Sequence, residues 1–135
     1  MPAFDPLTYR YASRRNVVYA QNAVACTSVP LGAQIGLDVM KSGGNAVDAA
    51  VATAFAVGVC EPNLSGIGGC GMMNIYLADN HEYEILEYME TVPVAVEPGW
   101  YNPETDSATA KNAAVPGQVA GLLTALEKYG TMTPE

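Results

Sequence analysis

Side chains able to do chemistry are few in this sequence, and they are scattered. The single histidine, His81, sits in Ala78-Asp79-Asn80-His81, a turn-forming run, so any histidine-based triad within these residues must use it. Asp79 and Glu82 flank it as the carboxylates that exposed turns usually carry. The three cysteines, Cys26, Cys60 and Cys70, show no C-x-x-C spacing, so neither a disulfide framework nor a zinc knuckle is indicated and no metal ligand set is read. Thr91, Thr105, Thr109 and Thr131 are internal hydroxyls, and an internal threonine has no free α-amine to act as its base. The densest feature is Ser65-Gly66-Ile67-Gly68-Gly69-Cys70-Gly71. Its glycines permit positive φ and leave N–H groups unshielded, which suits a tight turn, an anion nest or the close passage of another segment. No G-x-G-x-x-G follows a strand and no Gly-Lys-Ser/Thr occurs, so no cofactor loop is read and a structural turn is the simpler account.

The elements around this loop are legible. Asn45 suits an N-cap and Asp48 the positive end of a helix running Ala46 to Val59, whose faces are almost all Ala, Val and Phe. Such a helix is expected to be buried all round, and it is too short to span a bilayer. Glu61-Pro62 ends it. Upstream, Val17–Tyr19 and Ala23–Thr27 read as one or two strands, and Pro30 opens an amphipathic helix through Ser42, with Leu31, Ile35 and Val39 docking on a sheet. Downstream, Met72–Leu77 and Tyr83–Tyr88 read as an antiparallel hairpin closed by Glu90-Thr91-Val92-Pro93. Residues 97–111 read as a long loop that Trp100-Tyr101 can anchor. Pro116-Gly117 opens a last helix through Tyr129, ended by Gly130.

With 135 residues, half of them hydrophobic, the chain can bury one modest core. A net charge of −8 with six basic residues argues against nucleic-acid or anionic-membrane surfaces as partners. Residues 1–15 read as an N-terminal arm, with Tyr9-Arg10-Tyr11 and Arg14-Arg15 as a small basic, aromatic group packing on its own protein. The opening residues lack the continuous apolar segment of a secretory signal, so a cytoplasmic location is expected.

GGNAVDAAVA, VCEPNLSGIGGCGMM, ETVP and AAVPGQVAGL, in that order, resemble the N-terminal part of the gamma-glutamyltranspeptidases, also called gamma-glutamyltransferases. The resemblance covers residues 16–135. It implies an α+β fold, part of an N-terminal nucleophile hydrolase αββα sandwich with helices packed on antiparallel sheet. It also implies the family's chemistry: a self-cleaving precursor frees a threonine whose own α-amine takes the hydroxyl proton as it attacks a gamma-glutamyl amide such as glutathione. Backbone N–H groups hold the oxyanion. Many members are exported.

Two departures bear on function. The resemblance places the nucleophilic threonine downstream of Glu135, so no catalytic residue is assigned here and these residues alone are expected to be inactive. Their partner is then the missing C-terminal half or small subunit, or a second copy. Met89 stands where the family has an arginine that grips the α-carboxylate of the gamma-glutamyl group; loss of a bidentate guanidinium contact is worth about 1.5–3 kcal/mol or more. Glu90 beside it matches the family and is the candidate substrate-binding residue. The alternatives are a non-catalytic oligomeric or binding module, or part of a related acylase that does not read the α-carboxylate.

Overall fold

A computed structural model of the chain describes residues 17–134; the expected arm, residues 1–15, lies outside the described residues. The elements in chain order are α1 (Pro30–Lys41), α2 (Ala46–Cys60), β1 (Met72–Leu77), β2 (Glu82–Glu87), α3 (Pro103–Asp106), a 3-10 turn (Ala110–Asn112) and α4 (Gln118–Tyr129).

Helix α2 begins with a capping box. The Asn45 side chain accepts from the N–H groups of Val47 (2.9 Å) and Asp48 (3.0 Å), while the Asp48 carboxylate accepts from the Asn45 N–H (2.7 Å). Its burial differs from the all-round cover expected. Val47, Asp48, Ala49 and Val51 are buried, but Ala46 and Ala50 are exposed and Val59 is 81% exposed. The reason is that the hairpin and α4 pack against the first half of α2, α1 and Gly66 cover only one side of its second half, and Val59 and Cys60 at its end stay exposed.

The expectation for α1 is corrected too, because it packs on α2 rather than on a sheet. Its buried positions are Gly32 and Gly36, not the Leu31 stripe, and Leu31 is exposed. A Cβ at Gly32 would stand 2.9 Å from Val57 Cγ2, and the Thr53 hydroxyl donates to the Gly32 carbonyl (3.2 Å). Two glycines four apart let the helix backbones approach closely. Val17–Tyr19 and Ala23–Thr27 form no strand. A strand needs a ladder partner, and the sheet among the described residues contains only β1 and β2.

These two strands are antiparallel, with Met72 opposite Glu87 and Leu77 opposite Glu82, and Gly71 and Tyr88 extend the pairing by one step. The pleat divides the side chains. Met73, Ile75, Leu77 and Leu86 face the helices, where Ile75 joins Val47, Val51, Leu122 and Ala125 in the core. Met72, Tyr76, Tyr83 and Ile85 on the other face are exposed. His81 closes the turn at φ 60°, a left-handed conformation that is uncommon for non-glycine residues and enriched in histidine.

The segment expected as a loop holds α3 and the 3-10 turn. Asn102 caps α3 and Pro103 fills its first turn, so Asn-Pro acts as a helix start rather than a plain turn. Lys111 lies over the Trp100 ring at 5.0 Å and pairs with Asp106 at 3.0 Å, anchoring the segment as Trp100 suggested. The Asn102 N–H and Lys111 hold the Asp106 carboxyl below its ordinary range. A single bridge, Thr91 to Val115, ties its two ends.

Candidate functional site

The glycine loop, the exit of β2 and the entrance of α4 converge. The Gly69 carbonyl accepts from the N–H groups of Gly117 (3.2 Å) and Gln118 (3.0 Å). The loop thereby satisfies donors that the first turn of α4 would otherwise leave unpaired. One step on, the Tyr88 N–H donates to the Gly71 carbonyl (3.0 Å). The Tyr88 ring lies against Gly71 and Gly121: a Cβ at Gly71 would stand 2.6 Å from Tyr88 Cε2, and one at Gly121 would fall on the ring itself. Burial, and then the neighbouring Cys70, hold the Tyr88 phenol above its ordinary pKa.

Cys70 and Glu90 meet across this junction. The proximity of the Cys70 thiol to the Glu90 carboxylate is the main reason the thiol titrates above its usual range and the carboxyl below it. Burial adds to the shift at Cys70. At neutral pH the pair is therefore a protonated thiol beside a carboxylate, an arrangement that presents negative charge and no thiolate nucleophile. Met89, between Tyr88 and Glu90, is 44% exposed and brings neither charge nor donor. Beside the junction lies a cavity of about 440 Å³, walled by Ser65, Gly66, Gly69, Cys70 and Gln118 on one side and by Cys26, Thr53 and Val57 on the other.

The remaining candidates lie elsewhere. His81 is at the hairpin tip, its Nδ1 2.8 Å from the Tyr76 hydroxyl. Asp79 and Glu82 share that exposed turn. Cys60 is exposed at the end of α2. Thr91 lies in the Val115 bridge, Thr109 caps the 3-10 turn and the Thr131 hydroxyl donates to Asp48. Among the described residues, no three His, Cys, Asp or Glu side chains gather as a metal site. Sequence reading did not find the Cys70–Glu90 contact or the seat of Tyr88. The signal for the seat was Gly117 and Gly121 four apart on one helix face; for the contact there was none short of the strand register.

The model of the gamma-glutamyltranspeptidase family matches residues 32–134. The chain belongs to the gamma-glutamyltranspeptidase family. It is 39% identical over 129 residues to a glutathione hydrolase proenzyme of Bacillus subtilis, covering 90% of this chain and 22% of that protein. Glutathione hydrolase 3 of Arabidopsis thaliana is 35% identical, over 87% of this chain and 19% of that protein. Among solved structures, the gamma-glutamyltranspeptidase of Helicobacter pylori superposes with a TM-score of 0.81 at 36% identity, over 87% of this chain and 36% of that one. A cephalosporin acylase from Bacillus halodurans gives 0.78 at 36% identity, over 96% of this chain and 25% of that one. The chain thus spans about a fifth of the length of the curated family members it matches. The α+β arrangement of helices on an antiparallel hairpin is the corresponding part of the N-terminal nucleophile hydrolase fold that these structures share. No helix among the described residues is long and apolar enough to cross a membrane.

Proposed function

We propose that these residues form the N-terminal part of an amidohydrolase or transferase acting on gamma-glutamyl amides such as glutathione. Residues 16–135 are one piece of its sandwich, and residues 1–15 are an arm. The observation that carries the reading is the family match over residues 32–134 together with 39% identity to a glutathione hydrolase proenzyme. In this account the chain supplies helix-backed sheet and the Met89–Glu90 strand end, and the segment bearing the nucleophilic threonine is its partner. Glu90, a carboxylate whose pKa the neighbouring Cys70 thiol lowers further, touches the substrate.

The test is coexpression of the 135 residues with carboxy-terminal segments from several family members, followed by assay of gamma-glutamyl anilide cleavage. Self-processing and release of the amine are expected; soluble, processed assemblies that never release it would overturn the reading. The compartment expected from the sequence is tested by fractionating the source cells.

Met89 favours a second reading. A thioether offers no contact to an α-carboxylate, and a cephalosporin acylase matches 96% of this chain. A related acylase would take a side chain without that carboxylate. The processed assembly should then cleave glutaryl anilide at least as fast as gamma-glutamyl anilide, and Met89→Arg should restore the gamma-glutamyl preference.

A further inference from the structure

Asp48 does more than complete a capping box. The residue is 3% exposed, and its carboxylate accepts from donors on two distant segments. On one side is the Asn45 N–H; on the other are the Thr131 N–H (3.0 Å), the Thr131 hydroxyl (2.7 Å) and the Met132 N–H (3.1 Å), which lie 83 and 84 residues along the chain. The fit is close. A Cβ on Gly130 would stand 2.6 Å from Asp48 Oδ1, and one on Gly44 would stand 2.7 Å from Met132 Sδ.

Residues 131–134 form one wall of a groove of about 780 Å³. Val39 of α1, Val51 and Phe55 of α2, and Leu123 and Leu126 of α4 form its apolar sides. We infer that residues 131–134 are a strap along this groove, held shut against α2 by the negative charge of Asp48.

Three backbone and hydroxyl donors converge on the carboxylate from the strap, and only an acceptor can satisfy them all. A protonated carboxyl would turn one oxygen into a donor facing other donors. No cation shares the work: the ion pairs among the described residues are Lys41–Asp38 and Lys111–Asp106. From the start of α2 the carboxylate meets Asn45, and from the end of α4 Gly130, Thr131 and Met132, while Gly44 at the end of α1 lies against the Asp48 side-chain stem; none of them is charged or titratable. Burial pushes the Asp48 pKa up, but the Thr131 hydroxyl and the N–H groups of Asn45, Met132 and Thr131 outweigh it and hold the group below its ordinary range. A depressed folded-state pKa means that the fastening is complete above the ordinary carboxylate range and is lost as pH falls through the folded value. At neutral pH the strap is shut.

The test is residue-resolved amide hydrogen exchange on the 135-residue chain at neutral pH, with Asp48→Asn and Thr131→Val. Asp48→Asn keeps the shape and removes the charge. It should cost Thr131 and Met132 roughly tenfold or more of their protection while the amides of Ile75, Leu122 and Ala125 keep theirs. Thr131→Val should give a smaller loss, confined to the same two amides. Unchanged protection at 131 and 132, or a loss shared equally by the core amides, would overturn the strap. Should Asp48→Asn fail to fold, Thr131→Val decides by the same criterion.

Discussion

The two faces of the β1–β2 hairpin are built from the same strands and meet opposite fates. On one face Ile75 is 7% exposed, in contact with α2 and α4; on the other, Tyr83 and Ile85 are 72% and 65% exposed. Both faces carry four apolar side chains, with Asn74 and Glu87 the polar exceptions on the outer face and Glu82 and Glu84 on the inner one. Alternation usually places polar residues on a solvated face, so an apolar outer face marks a sheet made to be covered on both sides. Helices supply one cover. In a sandwich of two sheets between helix layers, the second sheet supplies the other, and the fold class of the solved relatives accounts for the contrast.

The largest test of that contrast is in the covered layer. Leu122 is 1% exposed at the centre of the core. Leu122→Ala should cost roughly 2–5 kcal/mol in denaturant unfolding, through lost burial and the cavity left behind. Next is the seat of Tyr88: Gly121→Ala places a methyl on its ring and should cost about 1–3 kcal/mol. It should also displace Glu90, which a changed Glu90 titration would report. Asn45→Ala removes the acceptor for Val47 and Asp48 and should cost about 1 kcal/mol.

On the outer face, Ile85→Ser should change stability by no more than about 0.5 kcal/mol. It should reduce self-association in sedimentation, which would sharpen the comparison; a loss as large as that of Leu122→Ala would break it. The smallest effect is at Cys70. Without the thiol donor, Cys70→Ala should let the Glu90 carboxyl rise toward its ordinary pKa, followed by carbon-detected NMR. Because Glu90 titrates low in the folded protein, the thiol's contribution is present above the ordinary carboxylate range and is lost as pH falls through the folded value.

Sequence made the local features plain and left much of the packing unread. Asn45 with Asp48, Pro62, Pro116-Gly117 and Gly130 are punctuation written in one place, and each element they bound is where its signals put it. The hairpin was equally readable from its alternation, with β2 spanning Glu82–Glu87 rather than Tyr83–Tyr88. Val17–Tyr19 and Ala23–Thr27 misled because β-branched content reports a preference, whereas a strand exists only with a partner. Helix α1 misled differently: its apolar stripe suggested a sheet beneath it, but Gly32 and Gly36 were the contact, and small residues carry no hydrophobic signal. At the candidate site, Met89 and Glu90 could be named from the family pattern. The Cys70–Glu90 proximity could not, since it depends on a register that brings residues twenty apart together. Asp48 was read as a helix opener, and its hold on Thr131 depends on where α4 ends.

The central claim is that this chain is one helix-covered sheet of a larger gamma-glutamyl amidohydrolase. Intact mass with terminal-peptide mapping of the native protein from its source tests it most directly. The account predicts a polypeptide continuing past Glu135 and a second chain whose first residue is threonine. A native species that ends at Glu135, with no threonine-initiated partner chain, would contradict it.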